Sequence, residues 1–261
     1  MTRSLTWLGQ AGFLIEIEGL RILVDPFLSG HEARLFPPPP IEPYIEAVDW
    51  LLVTHEHLDH LDVDFLPVLA QRSPGVTVVL PTPIVHQAAR VAPGIRTTGV
   101  QPGDVLELSP EISLDVLPAW HGVEVADAYS DGRGEDGLAR FVGYVVQAPG
   151  LSIYHSGDTL VTDELREALS SHGIDVALLP VNGRDYYRED LGLIGNMDER
   201  EAVRLALENR VRLLVPMHWD LFRGNTVRPG DAVDEAAGDS GLHILVPSRF
   251  AAFPLPVFGP R

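Results

Sequence analysis

Short apolar runs of strand type recur along this chain, at LTWL, FLIEIE, RILVD, WLLVT, VTVVL, ISLDVLPA, FVGYVVQA, LSIYHS, DVALLP, VRLLVPM and LHILVP. Several close on Gly, Pro or Asp, residues that turn the chain out of a strand. Three helical patterns alternate with them. Residues 83–92 open with Pro83 and set Val85, Ala88, Ala89 and Ala92 on one face, and residues 163–172 do the same with Leu165, Ala168 and Leu169 ahead of Gly173. A third pattern starts at Asp198 with Glu201 three residues on, a capping-box arrangement, and buries Val203, Ala206 and Leu207. Strands in succession, then strands alternating with helices, predict an α+β layered domain of mixed sheets covered by helices.

At 261 residues and 45% hydrophobic content the chain suffices for one large domain over 1–261 with a well-filled core. No apolar run approaches the roughly 20 residues of a membrane span, and the N-terminal stretch MTRSLTWLGQAGFLIEIEG lacks a signal-peptide apolar segment, so a cytoplasmic location is expected. The chain has no cysteine, which removes disulfides, thiolate ligands and thiol nucleophiles and leaves nitrogen and oxygen donors for any metal. A formal charge of −18 without a basic cluster argues against nucleic acid as a partner. Residues 26–48, with FPPPPIEP, read as a stiff extended surface loop, and the polar, Gly-rich 122–140 as a second loop.

The run WLLV is followed at once by THEHLDH, residues 54–60. In an extended or loop segment alternate residues share a side, so His55, His57 and Asp59 converge. His60 breaks that alternation. A single ion cannot easily take all four groups, and a loop that serves two adjacent ions accounts for them. The remaining ligands must come from other strand ends, where three candidates stand: His121 after ISLDVLPAW, Asp158 after LSIYHSG and His218 after VRLLVPM.

THEHLDH, followed in order by PAWHG, SGDT and PMHW, resembles the HxHxDH signature of the metallo-β-lactamase-fold hydrolases. TWLGQAGFLIEIEGLRILVDPFLS, NGRD at 182–185, GNMDEREAV at 195–203 and HWDLF at 218–222 are similar to the branch that contains the L-ascorbate-6-phosphate lactonases. The resemblance implies a four-layer αββα sandwich with two mixed β-sheets and the metals in a cleft at one sheet edge. It implies that His55, His57 and His121 hold one ion, that Asp59, His60 and His218 hold the other, and that Asp158 bridges them. It also makes Asp25, in LVDP, an outer partner that fixes a histidine's orientation; the competing reading is a turn-forming Asp before Pro26.

Two divalent ions, Mn2+ or Zn2+ for such donors, would ready a bound hydroxide at neutral pH for attack on a small ester or lactone. Asp59 would also orient the nucleophile and pass its proton to the leaving group. For an anionic small-molecule substrate Arg184 is the leading cationic partner, with Asn182 as a further donor. The family suggests a homo-oligomer. Two other functions compete: a phosphodiesterase acting on a small or lipid phosphodiester, and a binding or scaffold protein with structural metals or none.

Overall fold

The computed structural model describes residues 3–122, 136–183, 190, 195–236, 238, 241–256 and 258–259. Strands β1 (Ser4–Gly9), β2 (Gly12–Ile17), β3 (Leu20–Val24), β4 (Trp50–Leu52), β5 (Thr77–Pro81) and β6 (Arg96–Val100) form one sheet, closed on its outer side by β14 (Ala252–Pro254). The second sheet takes β7 (Val105–Ser109), β8 (Ile112–Pro118), β9 (Val142–Ala148), β10 (Leu151–His155), β11 (Val176–Pro180), β12 (Leu213–Met217) and β13 (His243–Ile244). Each sheet has seven strands in a row, β14-β1-β2-β3-β4-β5-β6 and β13-β12-β11-β10-β9-β8-β7. Each is half antiparallel and half parallel: pairing turns parallel from β3 to β6 in the first, and from β10 to β13 in the second.

The inner strands of both sheets, such as β11 and β12, are apolar on both faces, which requires cover on both sides. In β11, Val176 and Leu178 face the other sheet while Ala177 and Leu179 face the helices. Phe13, Ile15 and Ile17 of β2 join Val176, Leu178, Val215 and Met217 in the core between the sheets. Truncating the fully buried Leu178 to alanine costs about 2–5 kcal/mol. Helices α1 (Glu42–Ile45), α2 (Leu66–Arg72) and α3 (Val85–Val91) cover the first sheet; α4 (Asp163–Ser170), α5 (Glu199–Glu208) and α6 (Gly230–Glu235) cover the second. The result is the αββα sandwich of α+β class, with two mixed sheets. Among the described residues no helix is long and apolar enough to cross a membrane.

The capping box opens α5 as the sequence predicts: Glu201 N donates to Asp198 Oδ1 at 2.8 Å and Asp198 N to Glu201 Oε2 at 3.1 Å. The predicted face of 83–92 is shifted. Thr82–Ile84 form a 3-10 turn before α3, so Ile84, Ala88 and Ala92 are buried and Ala89 is exposed. Segment 26–48 is less superficial than its prolines suggest, because Phe27, Leu28, Ile45 and Val48 are buried and α1 lies within it. Residues 123–135 of the second predicted loop lie outside the described residues.

Candidate metal centre

Six of the strands place chemistry at one edge of the sandwich. Asp25 follows β3, the THEHLDH loop follows β4, His121 follows β8, Asp158 follows β10, Asn182 follows β11 and His218 follows β12. The carboxyl ends of parallel strands are where sheet folds leave open backbone and room for a ligand. Within the THEHLDH loop, His60 N and Leu61 N both donate to His57 O, at 2.9 and 2.8 Å, a turn that swings His60 back under the loop. Asp62 then ties the loop down by accepting from Leu28 N, Ser29 N and Phe65 N.

All seven expected ligands are brought together. His55, His57 and His121 form one set of donors, Asp59, His60 and His218 another, and His55, His60 and Asp158 a third between them. Within each set the donor atoms lie within 4.8 Å of one another. His218 Nε2 is 3.2 Å from both Asp59 Oδ2 and Asp158 Oδ2, and His121 Nε2 is 3.5 Å from Asp158 Oδ2. Three atoms at the heart of the cluster, His55 Nε2, His60 Nε2 and Asp158 Oδ1, are buried without a hydrogen-bond partner. Buried polar atoms are rarely left so, and lone pairs of imidazole and carboxylate converging from several strands fit a divalent cation. The cluster is capable of binding metal.

Outer contacts fix the rings. Asp25 Oδ2 accepts from His60 Nδ1 at 2.7 Å and from Thr54 Oγ1 at 2.6 Å, while its Oδ1 accepts from Thr54 N. His121 Nδ1 donates to Gly195 O. Each bond uses Nδ1 and so turns Nε2 into the cluster. Gly195 has no space for a side chain, since a Cβ there would sit 2.8 Å from the His121 ring. Phe141 packs against His55, His57 and His121.

The charges divide the histidines. Burial, with the neighbouring imidazoles, pushes His55 well below the ordinary histidine range and His57 below it; burial lowers His121 to about 4. Burial also pulls on His60, but Asp158, Asp25 and Asp59 outweigh it and raise that histidine well above its usual value. In the same way Asp158 and Asp59 overcome burial at His218 and raise it to about 9. Burial acts to raise both carboxylates, yet His60 and His218 hold Asp59 low, and His218, His60 and His121 hold Asp158 low.

Sequence reasoning passed over Gln10. This buried residue in the β1–β2 turn donates from Nε2 to Asp59 Oδ2 at 2.8 Å and lies 2.9 Å from His218 Nε2. Its backbone is fully committed: N donates to Asp220 Oδ1, and O accepts from His218 N and the Trp7 indole. Gln10, Asp25 and His218 all have positive φ, at 52°, 43° and 62°, a left-handed conformation that non-glycine residues adopt where surrounding bonds hold them. An uncharged amide in a turn carries no signal in one sequence. His155, beside the cluster, donates from Nε2 to Ala11 O and accepts from Gly157 N, so both its nitrogens serve the backbone.

The donors open on a cavity of about 240 Å3, whose other walls are Asn182, Gly183, Gly195, Asn196, Phe222 and Asn225. Segment 26–48 reaches this wall through Phe222: the Phe27 ring lies 5.9 Å from it, and Leu35 N donates to Leu221 O. Asn182 therefore faces the cavity. Arg184 lies outside the described residues.

A model of the beta-lactamase superfamily domain matches residues 20–219. A UPF0173 metal-dependent hydrolase of Pyrococcus furiosus is 35% identical over 84% of this chain and 85% of its own length. Another, from Methanopyrus kandleri, is 31% identical over 94% of this chain and 97% of its own. Among solved structures, a metallo hydrolase of Ignicoccus hospitalis superposes with a TM-score of 0.77 at 21% identity, covering 98% of this chain and 99% of that one.

Proposed function

This chain belongs to the beta-lactamase superfamily, among the UPF0173 metal-dependent hydrolases, and from that premise we propose a dinuclear hydrolase acting on a small ester or lactone. The observation that carries the proposal is the convergence of seven His and Asp side chains from both sheets around three buried ligand atoms that have no hydrogen-bond partner. His55, His57 and His121 would hold one ion, Asp59, His60 and His218 the other, and Asp158 would stand between. Nitrogen and oxygen donors without thiolate suit Mn2+ or Zn2+. Residues 1–261 would act as a single hydrolase domain. The lactonase-like reading rests on the likeness of NGRD, GNMDEREAV and HWDLF to that branch.

Held by such donors, divalent ions supply a nucleophile from water at neutral pH and draw off negative charge that develops on a carbonyl oxygen. The chain's own groups do the rest. His55, His57 and His121 are kept neutral by burial, so their lone pairs face the site without first losing a proton. Asp25 and the Gly195 carbonyl hold the His60 and His121 rings at Nδ1 and leave Nε2 to the centre. Asp59, whose side chain is 17% exposed against 4% for Asp158, is the more open of the two carboxylates that line the cavity. Gln10 binds its Oδ2, and Asp59 in turn orients the attacking water and passes the proton to the departing alkoxide. Asn182, on the cavity wall, and Arg184 are the proposed contacts to the remainder of the substrate.

The test is metal analysis of chain purified without chelator, followed by assay on esters, lactones and bis-p-nitrophenyl phosphate. Metal-dependent ester or lactone turnover is expected. Phosphodiester turnover without ester or lactone turnover would reverse the proposal.

A further inference from the structure

Three asparagines from three separate loops meet on the cavity wall. Asn196 Nδ2 donates to Asn182 Oδ1 at 3.1 Å, and Asn182 Nδ2 donates to Asn225 Oδ1 at 2.7 Å. The backbone forces the first two together. Gly183 N donates to Met197 O at 3.0 Å, and the segments pass so closely that a Cβ on Gly183 would overlap the Asn196 carbonyl oxygen. The row runs in one direction, from Asn196 to Asn225, and so uses the Asn196 nitrogen while leaving its oxygen over. Asn196 is only 3% exposed, and its Oδ1 has no hydrogen-bond partner. That oxygen belongs to a residue lining the same cavity as His57, Asp59, His121, Asp158 and His218. The oxygen has almost no accessible surface as the walls stand, so a group that enters the cavity reaches it by displacing a neighbouring wall side chain; a buried acceptor is otherwise left empty at a cost.

We propose that Asn196 Oδ1 is a specificity contact that accepts a hydrogen bond from a hydroxyl on the substrate, with Asn182 and Asn225 holding the amide in the orientation that presents oxygen. The subsite lies beside the first histidine set, because Gly195, which accepts from His121, is the preceding residue. A methyl in place of the hydroxyl would leave the oxygen unpaired, and an anionic oxygen would be repelled by it; a hydroxyl answers both. The inference rests on the ester or lactone reading, which it narrows to hydroxylated members.

The experiment uses isosteric pairs of p-nitrophenyl esters, lactate against isobutyrate and 3-hydroxypropionate against butyrate, with metal-loaded chain. The chain is expected to prefer at least one hydroxy ester by about 10-fold or more in kcat/KM. Asn196→Ala brings that ratio close to one at unchanged metal content, and Asn225→Ala, nearer the surface, lowers it partway. No preference for either hydroxy ester, or a preference that survives Asn196→Ala, overturns the proposal. If no ester is turned over, the proposed reaction fails separately, and calorimetry with hydroxymethylphosphonate and ethylphosphonate still reads the subsite. Tighter binding of the hydroxylated probe to the natural chain, lost in Asn196→Ala, upholds the contact; equal binding of the two overturns it.

Discussion

The two donor sets lie side by side at one sheet edge and are built on different principles. His55, His57 and His121 form an all-imidazole set, buried against the Phe141 ring, with a backbone carbonyl orienting His121. Asp59, His60 and His218 are instead embedded in charge: Asp25 holds His60, Asp158 lies within ion-pair reach of His60 and His218, and Gln10 braces Asp59 against His218. Apolar packing sets the first, and a hydrogen-bonded network sets the second. The network continues outward, since Asp220 accepts from Gln10 N and pairs with Arg249. One set is thus tuned by desolvation and the other by partners, so substitutions in the two surroundings should separate the affinities for two metal equivalents.

The largest effect is expected where the sets meet. Asp158→Ala removes the carboxylate near His60, His121 and His218, and should lower turnover by about 10³-fold or more together with bound metal, as read by metal analysis and initial rates. Asp25→Asn keeps the shape but weakens the bond to His60 Nδ1. It should weaken the second metal equivalent by about 10–100-fold in a chelator-competition titration, with a smaller effect on the first. Gly195→Ala tests the opposite side. The new methyl would press on the His121 ring and should weaken the first equivalent by about 10-fold while sparing the second. Gln10→Ala removes one brace from Asp59 and His218, and a loss of about 3- to 10-fold in the second equivalent is expected, with the first unchanged. Equal effects on both equivalents from all of these would erase the distinction between the sets.

The same contrast explains what could be read from the chain alone. The inner strands announce themselves because both faces are apolar, as in VALLP and LLVPM. The outer strands do not: RTTGV of β6 and VLELS of β7 are partly exposed sheet edges with polar side chains, and β14 has only three residues. Helices α1, α2 and α6 have four, seven and six residues, too few for a helical period to stand out. At the site, His and Asp residues directly after apolar runs were legible because few other roles call for that residue type at that position. Gln10, Thr54, Asn196 and Asn225 were not, because neutral side chains in turns and loops look like ordinary turn residues until long-range contacts bring them to the cluster. Gln10 meets Asp59 across 49 positions and Asn182 meets Asn225 across 43, and one sequence carries no record of such pairings.

The most direct measurement is the count of divalent ions per chain after reconstitution and desalting, for the natural chain and for Asp158→Ala. About two equivalents in the natural chain, falling on substitution, is the expected result. Fewer than one equivalent in the natural chain, or a count that Asp158→Ala leaves unchanged, would contradict the account.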